Sequence, residues 1–323
     1  MLHRSIHPST DGERPLRSRL TRRAILTWCS PLALKGDVTD LLVILVMNGL
    51  VWGLIVALIA LGLSIIFGLL DFINVAHGDF FMVGTVLAWT AIQITGNYWI
   101  AFLVVPVLGF VLGVIIERIV LRPVENSASL SIVAAFGLSL ILQESVRATF
   151  GATPKRILDP IGTTVPILHL NYQVYRLFAA AVSLIALGGF FLFLQRTKFG
   201  TWMRAVRQDR ETAIAMGVPA DRVFAATFGL GTAMAMLGGV VAAPITTVDF
   251  RLGLDVLPPC FIAVIVGGLG NLSGTAAAAV LLAVMEGFIT SFAEPTTARI
   301  ASLIFMSVVL LLRPQGLFAR GTR

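Results

Sequence analysis

From about residue 41 to residue 313 the chain is a succession of apolar runs: 41–70, 79–95, 100–121, 130–150, 174–195, 222–243, 256–270, 274–293 and 297–312. Crossing a hydrocarbon core of about 30 Å takes roughly 20 helical residues. Most of these runs reach that length, whereas 79–95 and 256–270 are short. The pattern predicts an all-α, polytopic helical membrane protein with about eight transmembrane helices, the shorter runs being broken or re-entrant segments. Lipid-facing strands would alternate apolar and polar residues with a period of two, so unbroken runs exclude a β-barrel. Composition agrees: 57% of residues are hydrophobic and 13% charged, against roughly 25% charged in a soluble domain.

The formal charge of +7 does not point to nucleic acid, because the cations flank the membrane. Seven of the 24 Lys and Arg lie in the first 35 positions, and six lie in the loop 196–222, which also carries three acids. The preference of cytoplasmic loops for Lys and Arg places that loop in the cytoplasm. Its second half carries the signals of a short capped helix. Asp209 suits the N-cap, Glu211 the first turn and Gly217 the position after the end, and Pro219 forbids continuation. A structured cytoplasmic knuckle on a membrane protein is a handle for a soluble partner.

Residues 1–36 form a basic, Pro-containing extension, 37–318 the membrane domain and 319–323 a short basic tail. Thr21-Arg22-Arg23-Ala24-Ile25-Leu26 has the look of a twin-arginine signal, but the apolar stretch behind it is short and broken by Ser30 and Pro31. The extension therefore reads as a disordered cytoplasmic tail or, since Val38 is compatible with a GTG initiation codon, as a misassigned start. A cytoplasmic tail and a cytoplasmic 196–222 loop require an even number of crossings between them, yet the runs count five. Either 79–95 does not cross, the first run holds more than one element, or the tail is not real.

Few polar residues interrupt the apolar runs. The break Asp71-Phe72-Ile73-Asn74-Val75-Ala76-His77-Gly78-Asp79 sets two acids, an Asn and a His between apolar helices, where unpaired polar groups are costly unless they meet water or one another. It reads as a pathway lining or as a surface turn. Glu286 lies deep in its run and faces protein or a water-filled cavity, as a transport residue or a structural hydrogen-bond partner. Glu117 with Arg118, and Glu144 with Arg147, read as interface anchors. Gly49-x3-Gly53, Gly109-x3-Gly113 and Gly270-x3-Gly274 permit close helix approach. Gly267, Gly268 and Gly270 break the helix there. Cys29 and Cys260 suggest no disulfide framework, and His77 has no second ligand at metal-binding spacing. No phosphate loop, H-E-x-x-H or G-x-S-x-G occurs, so nucleotide hydrolysis is not encoded here.

Several stretches together resemble one family. Asn48-Gly49-Leu50, Ala57 through Leu63, Ile66-Phe67-Gly68 and Asn74 through Gly84 are similar to the N-terminal core of branched-chain amino acid ABC transporter permeases of the LivH type. Glu117-Arg118 with Leu121-Arg122-Pro123, Thr197 through Gly217, Val266 through Gly274 and Arg313 through Phe318 match further family elements in order. The resemblance covers about residues 40–318 and implies a permease subunit of the bacterial inner membrane, without cofactor. Its implied partners are a second related permease, two cytoplasmic ATPases and a periplasmic substrate-binding protein. It also implies that Glu211-x-Ala213-x3-Gly217, with Asp209, is the element that docks into the ATPases, although Thr212 departs from the usual Ala and no Ile-x-Leu-Pro follows. Asn74, His77, Gly78, Asp79 and Glu286 become the expected substrate pathway. Branched-chain or other hydrophobic amino acids are the expected cargo. Urea and short amides stay open within the same class, and an ion-coupled transporter or channel is the rival outside it.

Overall fold

The structure is a computed structural model that describes residues 33–70, 74–125, 127–167 and 170–318. Residues 1–32, 71–73 and 319–323, on which parts of the sequence reading fall, lie outside the described residues. The chain divides into two units, with the boundary between Val43 and Ile44. Helix α1 (Ala33–Leu70) starts in the first, and the second holds the rest of α1 and every later element.

After α1 come α2 (His77–Thr95), α3 (Trp99–Ile116) with a π-helical turn Glu117–Leu121, and α4 (Ala128–Phe150). A two-stranded antiparallel hairpin, β1 (Thr164–Ile167) and β2 (Leu170–Gln173), leads into α5 (Val174–Arg196). Two short polar helices follow, α6 (Lys198–Gln208) and α7 (Arg210–Ala215), then α8 (Ala220–Ala242), α9 (Leu252–Gly267), α10 (Leu272–Ile289) and α11 (Pro295–Leu312). Among the described residues seven helices are long and apolar enough to cross a membrane, with segments of α1, α3, α4, α5, α8, α10 and α11. The short runs 79–95 and 256–270 become α2 and α9. The chain is a multi-pass helical membrane protein because every backbone polar group inside hydrocarbon must be satisfied within the protein, which a helix does locally.

Helices α1 and α8 form the centre, with 78% of each apolar span buried, whereas α11 has 17% buried and turns most of its surface outward. Van der Waals packing, not water exclusion, holds helices together in lipid, so small residues mark the contacts. Helix α2 lies along α8 with Gly84 against Met236 and Gly239 against Phe81 and Thr85. Gly49 and Gly53 pack on Val284 and Val280 of α10, and Gly109 and Gly113 pack on α8. Gly270-x3-Gly274 is different: Gly270 lies in a turn, with φ +74°, and not on a helix face. Glu117 also differs from its expected place, being 2% exposed inside the π-helical turn.

Polar contacts identify two ends. At one, Arg122 pairs with Asp221 at 2.8 Å, Arg210 with Glu125 at 3.2 Å, and Arg207 donates to the Gly270 carbonyl at 2.8 Å. At the other, the Tyr98 and Tyr175 hydroxyls meet at 2.8 Å, and Tyr172 and Arg176 both donate to Asn48 Oδ1 at 3.0 and 2.7 Å. From Ile44 onward α1 runs from the Tyr172 and Arg176 end, where Asn48 lies, to the Arg207 end, where Gly68 approaches Gly270. All five runs are helical elements, and four of them, all but α2, are long and apolar enough to cross a membrane.

A Cβ on Gly84 would lie 2.7 Å from Met236 Cα. Gly84→Val is expected to overpack the α2–α8 contact at a cost on the order of 2 kcal/mol. Thermal unfolding of the detergent-solubilised protein reads this, and an unchanged midpoint would refute the contact.

Candidate functional site

Asn74, His77, Gly78 and Asp79 come together at the start of α2, well inside the subunit. The His77, Asp79 and Phe80 amides donate to the carbonyls of Asn74 and Ala76, so the helix begins at His77 and takes in the second half of the expected polar break. His77 Nε2 lies 3.0 Å from the Ile59 carbonyl, and because a carbonyl only accepts, that nitrogen carries the proton. Ile59 is eleven residues from Leu70, about 16 Å of helix, so α2 starts far from the C-terminal end of α1. Asn74 and His77 are 0% exposed and Asp79 is 2% exposed. The cluster is sealed in this state.

Helix α9 completes it. Gly78 abuts the Gly253 carbonyl, and Gly253 in turn abuts Asp79, so the N-termini of α2 and α9 converge on one carboxylate. The partial positive charge of a helix N-terminus favours an anion there. Asp79 Oδ1 also accepts from Gln143 Nε2 on α4 at 3.0 Å, and Gln143 lies 3.0 Å from Ser139 Oγ. Gln143 was legible as a lone amide deep in the 130–150 run, with Ser139 one helical turn before it, but only the fold reveals that it meets Asp79. Among the described residues the Asn74 amide and His77 Nδ1 have no hydrogen-bond partner.

Glu286 belongs elsewhere. Its carboxylate accepts from Ser302 Oγ at 2.6 Å and borders a cavity of about 370 Å³ with Asn48, Trp52, Arg176 and Ile245. Asn48 and Ile59 are eleven residues apart on α1, so the cavity and the α2 cluster are separated by about 16 Å of helix. Arg176 and Asn48, neither of them among the expected pathway residues, give this cavity a cation and an amide beside the acid. An acid, a guanidinium and apolar walls around one space form a surface suited to a zwitterion.

At the basic end the 196–222 loop adopts the capped geometry. Thr197 caps α6 and Asp209 caps α7, accepting from the Thr212 amide at 3.0 Å and the Thr212 hydroxyl at 2.6 Å. These bonds hold the Asp209 carboxyl below the usual aspartate range. Met216 ends α7, Gly217 takes φ +83°, and Pro219 caps α8. Ala213 is buried with Val206, Ala220, Val223 and Phe224 in a small core of its own. Glu211 is exposed, as are Ile214 at 51% and Met216 at 80%.

The glycine break separates α9 from α10. Gly267 ends α9 against Thr275, Gly268 and Gly270 take φ +97° and +74°, and Asn271 caps α10 by accepting from the Gly274 amide at 3.2 Å. Asn271 Nδ2 also donates to the Phe318 carbonyl at 2.6 Å, and the Leu317 amide donates to the Val266 carbonyl at 2.8 Å, so the C-terminal segment lies over this turn.

Replacing Gln143 by Leu strands the buried Asp79 carboxylate, which costs about 1–3 kcal/mol, whereas replacing both partners by apolar groups is far milder. Gln143→Leu is therefore expected to lower the thermal midpoint more than the double replacement Asp79→Leu with Gln143→Leu. Equal losses would show that the pair is not coupled.

The family described as branched-chain amino acid transport system / permease component matches residues 45–313. The chain is 27% identical over 289 residues to the high-affinity branched-chain amino acid transport system permease protein LivH of Escherichia coli, covering 84% of this chain and 94% of the relative. The same identity and coverage relate it to BraD of Pseudomonas aeruginosa, a permease protein of the same kind of system. A probable branched-chain amino acid transport permease protein LivH of Methanocaldococcus jannaschii is 27% identical over 291 residues, with 84% and 90% covered. No solved structure matches the chain. With a family match that runs from residue 45 to residue 313, the chain belongs to the family of branched-chain amino acid transport system permease components.

Proposed function

We propose that this chain is the membrane subunit of an ATP-driven importer that moves branched-chain or other hydrophobic amino acids across the bacterial inner membrane. The observation that carries the reading is α7: a six-residue helix, capped at both ends, presenting exposed Ile214 and Met216 beyond the apolar spans. Isolated helices of that length are marginal in water. Burial of Ala213 in the core formed with α6 and α8, together with the Asp209 cap, keeps this one shaped. Exposed apolar side chains on a held, charged knuckle suit a soluble partner. Because the chain encodes no phosphate loop, its energy comes from that partner.

In this reading two cytoplasmic ATPases grip α7, a second related permease pairs with this one, and a periplasmic binding protein delivers substrate. Basic side chains around the 196–222 loop support its cytoplasmic placement. The Glu286 cavity lies at the opposite end and serves substrate entry, with Arg176 facing the carboxylate and Glu286 the ammonium of an amino acid. The α2–α9 contact around Asp79 is the buried gate that opens when the ATPases move α7. High affinity resides in the binding protein, so these contacts are weak and transient.

Glu211→Lys or Gly217→Pro is expected to abolish co-purification of the ATPases while membrane insertion persists; normal co-purification would sink the docking role of α7. Asp79→Ala should reduce radiolabelled leucine uptake at least severalfold with the complex still assembled, and unchanged uptake would return the cluster to a purely structural part. ATPase-dependent uptake of urea or an amide in place of leucine would change the cargo and keep the mechanism. Uptake by this chain alone would overturn the ATP-driven reading.

A further inference from the structure

We propose that Arg207 is the positioning residue that transmits movement of α7 to the glycine turn between α9 and α10. The inference rests on the docking role proposed for α7. Arg207 is the penultimate residue of α6, two positions before Asp209, which closes α6 and caps α7. The two short helices therefore share a joint, and Val206 and Ala213 lie in one small core. A displacement of α7 carries the end of α6 with it.

From that joint Arg207 reaches across to the core. Its Nη1 donates to the Gly270 carbonyl at 2.8 Å, a bond between residues 63 positions apart in sequence. Gly270 fits under the guanidinium because it has no side chain: a Cβ there would lie 2.6 Å from Arg207 Cζ. The end of α1 joins the same point, since a Cβ on Gly68 would lie 3.3 Å from Gly270 Cα and 3.9 Å from Arg207 Cζ. Among the described residues no other hydrogen bond links α6 or α7 to this turn. Arg210 binds instead to Glu125, on the α3–α4 connection, at 3.2 Å.

The turn is a place where a small pull has a large consequence. Gly268 and Gly270 hold positive φ, so the backbone there changes direction without side-chain hindrance. The turn is the hinge between α9, whose first residues meet Asp79, and α10, whose far end carries Glu286. A cavity of about 1040 Å³ opens beside it, lined by Arg207, Gly270, Asn271, Gln315 and Phe318, and provides room for the turn to move. Arg207 thus joins the cytoplasmic handle to both helices that border the polar sites. A planar guanidinium on a backbone carbonyl transmits direction better than an apolar contact, because the hydrogen bond is oriented.

The experiment uses the complete complex of this chain, its partner permease and the ATPases in liposomes, supplied with binding protein and radiolabelled leucine. Arg207→Met keeps the length and removes the donor; Arg207→Lys restores a single donor. For Arg207→Met the leucine transported per ATP hydrolysed is expected to fall fivefold or more, while the ATPases still co-purify and the KM for loaded binding protein stays within twofold. Arg207→Lys should recover part of the ratio. A fall below fivefold overturns the proposal, as does loss of the ATPases, which would make Arg207 part of the docking surface, or a Lys variant no better than Met. Leucine transport by wild-type liposomes that lack the ATPases would instead refute the underlying reading of α7, whatever Arg207 does.

Discussion

A backbone carried into hydrocarbon has no water to satisfy its amides and carbonyls, so wherever this chain leaves helical geometry inside the membrane something in the protein must take over. Two such departures organise the molecule: the start of α2 and the start of α9. Both helices begin away from the basic end, and they meet through Gly78 and Gly253. Only residues without side chains allow that approach. Asp79 sits beside the first turns of both helices, where a carboxylate is favoured, with Gln143 as its side-chain partner.

The outer layer follows a different rule. Helices α4, α5, α10 and α11 are mostly exposed, with apolar side chains such as Ile185 and Leu311 facing outward. Lipid accepts them, since hydrocarbon demands no specific side chain. Specificity is concentrated at the ends. At one, tyrosines, Arg176 and Asn48 lock the connections; at the other, ion pairs and caps shape the α6–α7 knuckle.

Local chemistry made the handle readable in advance. The cap by Asp209, the left-handed Gly217 and the stop at Pro219 each depend on residues within one or two turns of each other, and each is present in the structure. The break at Gly268 and Gly270 was readable for the same reason. Glu117 was misread because its burial depends on a π-helical turn and its packing, which no short window contains. Gly270-x3-Gly274 was misread because spacing alone does not distinguish a helix face from a turn that opens one.

By itself the sequence determined that the chain is helical, that it lives in a membrane, where the short capped helix of the 196–222 loop starts and stops, and which glycines interrupt it. These are consequences of apolar length, capping chemistry and backbone freedom, all set by neighbours along the chain. Tertiary structure alone decided that His77 and Asp79 are sealed between α1, α4 and α9, that Glu286 shares a cavity with Arg176 instead of joining them, and that Arg207 touches Gly270. Those pairings join residues from 18 to more than 100 positions apart. They exist because close-packed helices bring distant faces together, and no periodicity records which faces will meet.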